Sequence, residues 1–266
     1  MQRLDQEKDS QLLERRFIDL SRAAYQRDII TYSDFLNLNE QNILHTLPKD
    51  RLYTGVVSFG GFGLAERQMA AFIPEALSLR WGKQKLDPGD IGYPFSVLKI
   101  SPLNRKFAEA LSHRDYLGAL LNLGIERCKT GDIIVSGSDA MVFVHRDMVR
   151  LVLDELTRVR HTSVSVSEIT LSELKYTPEY EEIRGTVASV RLDSLLALAF
   201  SSSRSKLTGL IEGAKVYVNG RLVTSNGYEP KEGDVISVRG MGKFRYESAG
   251  GRTRKNRISV TVHRYV

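Results

Sequence analysis

The sequence holds one cysteine, Cys128, among 266 residues. A single thiol excludes an intrachain disulfide and any cysteine-cluster metal site. Long apolar runs are also missing. The longest, LLALAF at 195–200, is far short of the roughly 20 residues that cross a bilayer. The opening MQRLDQEKDSQLLERRF has no apolar h-region, so no secretory signal is read there and a cytoplasmic location is expected. The five histidines show neither H-E-x-x-H nor a paired metal spacing, so no metal and no cofactor is expected. Hydrophobic residues at 42% and charged residues at 26% match an ordinary globular chain, long enough for two or three domains.

Positive charge is present but uneven. Residues 190–266 hold 14 Lys and Arg against 6 Asp and Glu, a net of +8, whereas residues 1–189 sum to −2. Such asymmetry calls for an anionic partner at the C-terminal end, and RNA, DNA and acidic lipid all fit.

Periodicity divides the chain further. Leu13, Phe17, Leu20 and Ala24 recur at helical spacing, and a short helix is expected near 39–46, ended by Pro48. TGVVSF (54–59) and MAAFI (69–73) read as strands around GGFGLAER, and WGKQKLDPGDIGYP (81–94) as a boundary loop. From 95 the order is strand (95–100), helix (105–124), hairpin strands (132–137 and 140–145), helix (148–159) and strand (163–169). That βαββαβ order predicts a ferredoxin-like fold, which RNA-recognition domains share. Those domains stack bases on strand aromatics. Phe95 and Phe143 are the candidates here, and both are expected in the core. A second break is expected near 176–186. The expected architecture is α+β: residues 1–90 as an N-terminal α/β segment, 91–178 as the ferredoxin-like domain, and 184–266 as a basic domain.

The basic segment RLDSLLALAFSSSRSKLTGLIEGAKVYVNG (191–220) contains two helical runs separated by SSSRSK. Ser203 or a neighbouring serine is expected to cap the second helix, and Gly213 to end it as a left-handed residue. Arg204 and Lys206 then fall in its first turn, where the helix dipole opposes cations and favours anions. A phosphate there resolves the conflict. KVYVNGRLV (215–223) reads as a hairpin turning on Asn219-Gly220, with Lys215 and Arg221 flanking it.

The order RLD, SRS, LIEGAKVYVNG and GDVISV resembles the RNA-binding domain first known from ribosomal protein S-four, the αL motif. The resemblance implies recognition of structured RNA, with Arg191, Ser203, Arg204, Lys206, Lys215, Asn219, Gly220 and Arg221 facing RNA and Asp193 bracing a neighbouring arginine. With HRDYLGALLNLGIERCKTGDI (113–133) upstream, the chain is similar to the YlmH family of bacterial RNA-binding proteins. That likeness implies rRNA or tRNA as partner, a large ribosomal subunit as the setting, a role in ribosome rescue and a link to cell division. A protein partner for the N-terminal segment and a monomeric state complete the expectation.

Enzyme readings fare worse. Arg191-Leu192-Asp193 matches the three letters of the pseudouridine synthase motif, but too little chain follows to hold a catalytic domain. GGFGLAE (60–66) has Glu66 at the third glycine position of a nucleotide loop and is followed by a strand. The two HRD triplets (113–115 and 145–147) lack the kinase asparagine, with Leu120 and Val152 in its place. An RNA-modifying enzyme, of the pseudouridine synthase or methyltransferase kind, is the alternative to a non-catalytic RNA-binding protein. The tail GGRTRKNRISVTVHRYV (250–266) adds four cations within 252–257, read equally well as solvated charge or as a backbone contact.

Overall fold

The computed structural model describes residues 2–80, 88–174 and 176–265, apart from the side chains of residues 2–6, 80 and 204. The chain forms two compact units, 1–175 and 176–266. Among the described residues no helix is long and apolar enough to cross a membrane.

The first unit opens with α1 (Gln2–Arg27), β1 (Thr31–Tyr32), α2 (Leu38–Thr46), β2 (Gly55–Phe59), β3 (Met69–Ile73) and α3 (Glu75–Arg80). The strands form a small sheet in the order β1-β3-β2. Phe17 and Ala24 of α1 pack with Leu44 and Leu47 against Ala70 and Phe72, the stripe anticipated from the helical spacing. Asn37 starts α2 with a capping box, its side chain accepting from the Asn39 and Glu40 amides.

Next come β4 (Phe95–Pro102), α4 (His113–Asn122), β5 (Thr130–Ser136), β6 (Asp139–His145), α5 (Val149–Glu155), β7 (Arg158–Val159) and β8 (Thr162–Ile169). The sheet order β5-β6-β4-β8, with β7 added at the edge, is the ferredoxin-like one. Leu98, Ile100, Val142 and Val144 face Tyr116, Leu120 and Val152 of the two helices. The first helix is shorter than expected. It begins at 113 because the Asp115 carboxylate accepts from both the Ser112 amide and the Ser112 hydroxyl, at 2.8 and 2.7 Å. Those bonds hold the Asp115 carboxyl below the usual range. The first HRD triplet therefore serves a helix start. In the second, the His145 ring accepts from the Asp147 amide at 3.3 Å.

The other face of this sheet is closed. Phe95 and Phe143 are buried, in ring contact with each other and with Phe35, Phe59 and Phe62 from the N-terminal part of the chain. The boundary expected near residue 90 thus separates two sheets that share one aromatic core. Arg67 fastens the join: its guanidinium donates to the carbonyls of Thr130, Phe35 and Arg127 at 2.9, 2.9 and 3.0 Å. Burial, together with the charge of Arg67, pushes the Arg127 guanidinium down to about 10, still protonated near neutral pH.

The second unit starts at the break expected near 176–186, where the chain instead forms β9 (Tyr180–Val187). There follow α6 (Leu192–Ala199), α7 (Arg204–Glu212), β10 (Val216–Val218), β11 (Arg221–Leu222), β12 (Val235–Val238), β13 (Gly242–Arg252) and β14 (Ile258–Tyr265). The six-stranded sheet runs β11-β10-β12-β13-β14-β9. The acids of β9 did not prevent a strand because its eight residues pair along the whole of β14. Leu192, Leu195, Leu196, Leu207 and Ile211 press onto Val216, Ile236, Phe244 and Val262 of the sheet. Each such leucine is worth about 1.5–3 kcal/mol of burial.

Candidate nucleic-acid interface

The serine run has a structural logic of its own. Ser201 takes φ 46°, the left-handed conformation that ends α6, and the Ser202 amide donates back to the Ala197 carbonyl at 3.4 Å. Ser203 then occupies the N-cap of α7 with extended dihedrals, but its hydroxyl makes no capping bond to the helix and lies 3.3 Å from that of Ser205. Three small polar residues therefore turn the chain between two packed helices and leave the first turn of α7 at the surface.

The other end of α7 corrects an expectation. Gly213 is not left-handed, with φ −79°. The left-handed residue is Ala214, with φ 56°. The Ala214 and Lys215 amides donate to the carbonyls of Ile211 and Leu210 at 3.1 and 3.0 Å, a Schellman end displaced by one residue. Gly213 is required for another reason: a Cβ there would sit 2.7 Å from the Gly209 carbonyl oxygen. Ala214→Gly is expected to stabilise the protein by about 0.5–1 kcal/mol, because the left-handed cost to alanine exceeds the extra entropy of glycine. Denaturant unfolding of the two proteins measures it.

Lys206, in the first turn of α7, and Lys215, at the start of β10, are exposed and enter no ion pair among the described residues. The side chain of Arg204 lies outside the described residues. The helical rise from Lys206 to Gly213 is about 10 Å, so Lys206 and Lys215 stand at opposite ends of α7. Arg191 stands at the N-cap of α6, and Asp193 braces it, 3.6 Å from its Nε. The loop after β11 is clasped to this corner: the Leu192 amide donates to the Tyr228 carbonyl at 2.8 Å, and Asn226 donates to Glu212 of α7 at 2.8 Å.

Asn219 and Gly220 form the predicted two-residue turn, with φ 48° and 76° and Val218 facing Arg221 across it. Both amide atoms of Asn219 are engaged within the protein, donating to Asp234 at 2.8 Å and accepting from the Val235 amide at 3.0 Å. These two residues shape the hairpin, and the exposed Arg221 follows directly. The sequence reading missed Arg239. Its amide donates to the Lys215 carbonyl at 2.9 Å, and the residue is exposed. The signal was available, because Arg239 directly follows the strand VISV.

Two family models match the chain: "Putative RNA-binding domain in YlmH" over residues 88–173 and "S4 domain" over 190–236. The match over the second unit places the chain among proteins of the S4-domain class, to which the fold of that unit conforms. Over 94% of its length the chain is 31% identical to ribosome-associated protein quality control protein P2 of Bacillus subtilis (strain 168), covering 95% of that protein. A solved structure, cell division protein ylmH from Streptococcus pneumoniae, is 24% identical with a TM-score of 0.48, over 64% of this chain and 94% of that one. The chain belongs to the YlmH family of RNA-binding proteins.

Proposed function

We propose that this protein is a non-catalytic factor that binds structured rRNA or tRNA on the large ribosomal subunit and serves ribosome-associated quality control. The observation that carries the reading is the cationic corner of the S4 domain. Lys206, Lys215 and Arg239 are exposed around α7 and β10 without a carboxylate partner among the described residues, and an RNA backbone supplies the missing charge. The near-full-length relationship to a protein named for ribosome-associated quality control supplies the setting. Arg191 and Asp193 engage each other at the mouth of α6, which supports a bracing role over catalysis for the RLD triplet.

Docking is driven by the second unit. The ferredoxin-like sheet has its aromatic face buried, so bases cannot stack on it as they do on an RNA-recognition sheet. With about four phosphate contacts, affinity falls with salt at a log–log slope of about −3 to −4. Crosslinking in cells followed by sequencing of the attached RNA tests the assignment. Enrichment of large-subunit rRNA or of tRNA is the expected result, and crosslinks spread over messenger RNA would contradict it.

A further inference from the structure

Beyond both matched domains, β13 and β14 are joined in a hairpin in which residues 247–257 are exposed. We infer that the tip of this hairpin is a second RNA-phosphate contact, separate from the α7 corner. The inference rests on the RNA-binding reading above and adds a site to it.

The tip is ordered by its own bonds. The Thr253 amide donates to the Arg257 carbonyl at 2.7 Å, and the Asn256 amide donates to the Thr253 carbonyl at 2.8 Å. The Arg257 amide donates to the Thr253 hydroxyl at 3.2 Å. Asn256 adopts φ 55°, which asparagine tolerates better than most residues. Arg254 and Lys255 are thereby held at the apex, and both are exposed.

Arg252 and Arg257 flank them and are positioned without being neutralised. Arg252 donates to Asn256 Oδ1 at 2.7 Å, and Arg257 donates to the Thr186 hydroxyl at 3.0 Å and to the Thr186 carbonyl. Elsewhere on the same sheet three arginines are neutralised: Arg184 pairs with Glu182, Arg245 with Glu247 and Arg264 with Glu181. No ion pair among the described residues reaches the four cations of the tip. Four like charges in six residues repel one another, and the repulsion is relieved by a dense polyanion.

A pre-ordered tip loses little entropy on binding. The tip sequence RTRKNR has no apolar residue to insert between lipid chains, which favours a phosphate backbone over a membrane.

The test uses the full chain, a fluorescein-labelled RNA stem-loop and titrations across a salt series. Arg254→Ala with Lys255→Ala is expected to weaken binding about tenfold or more at low salt and to make the log–log slope shallower by about two. The charge-conserving Arg254→Lys with Lys255→Arg is expected to keep the wild-type slope. Lys206→Ala serves as the reference for the α7 corner. If Lys206→Ala weakens binding but the tip variant leaves affinity and slope unchanged, the tip assignment falls and the α7 reading stands. If the wild-type chain binds no RNA, both fall. Loss of binding to phosphatidylglycerol vesicles in the tip variant, with RNA affinity intact, also overturns the tip assignment.

Discussion

Arg67→Met is expected to destabilise the first unit by about 1–3 kcal/mol, the cost of leaving a buried acceptor without its donor. The guanidinium is buried and satisfies three main-chain carbonyls drawn from two parts of the fold, Phe35 on one side and Arg127 and Thr130 on the other. Methionine fills much of the volume but donates nothing, so the Phe35 carbonyl loses this donor, while the Thr130 carbonyl keeps the Arg127 guanidinium and the Arg127 carbonyl keeps the Thr130 hydroxyl. Arg67→Lys is expected to recover only part of the loss, because an ammonium cannot reproduce the planar fork. Equilibrium unfolding in urea, followed by far-ultraviolet circular dichroism, measures both variants. A change below about 1 kcal/mol for Arg67→Met would contradict the network's role.

Gly61→Ala should cost about 3 kcal/mol by a different route. Gly61 has φ +97°, and a Cβ there would lie 2.1 Å from Cε1 of the buried Phe143. The substitution combines a left-handed penalty with overpacking against an aromatic core that has no slack. At Gly63, two residues on, an added methyl group would meet nothing within 4 Å, and φ is not positive. Gly63→Ala is therefore expected to be near neutral, within about 0.5 kcal/mol. Equal effects at the two positions in thermal unfolding would refute the packing argument. Both glycines belong to the GGFG stretch whose spacing resembles a nucleotide loop, and the structure assigns Gly61 to the seal between two sheets.

Much of this was legible because periodicity reports local burial. Leu98 and Ile100, or Leu207 and Ile211, mark which face of an element is covered, and the ferredoxin-like order follows from strands and helices read singly. Asn219-Gly220 announced its turn because few residues accept two successive positive φ angles. The limits lie where long-range contacts decide. Phe95 was readable as core, but the covering of its sheet by Phe35 and Phe59 depends on chain segments about 60 and 36 residues away in sequence. Nothing in the sequence marks Arg67, since its three carbonyl partners appear only after folding. β9 was hidden by its glutamates, which face outward while the strand pairs with the far end of the chain. At the candidate interface the cations of α7 were visible from the SSSRSK interruption. Arg239 was legible as a cation directly after the strand VISV, but its place beside Lys215 was not, because sheet pairing brings the two together.

In the function proposed above, the S4 domain holds RNA through the cations of the α7 corner. Co-sedimentation of the full chain with purified large ribosomal subunits, comparing wild type with Arg204→Ala plus Lys206→Ala, tests it most directly. Circular dichroism first establishes that the variant is folded. The account predicts that the folded variant loses about tenfold or more in subunit affinity, with a salt slope shallower by about two. Undiminished co-sedimentation of the folded double variant would contradict it.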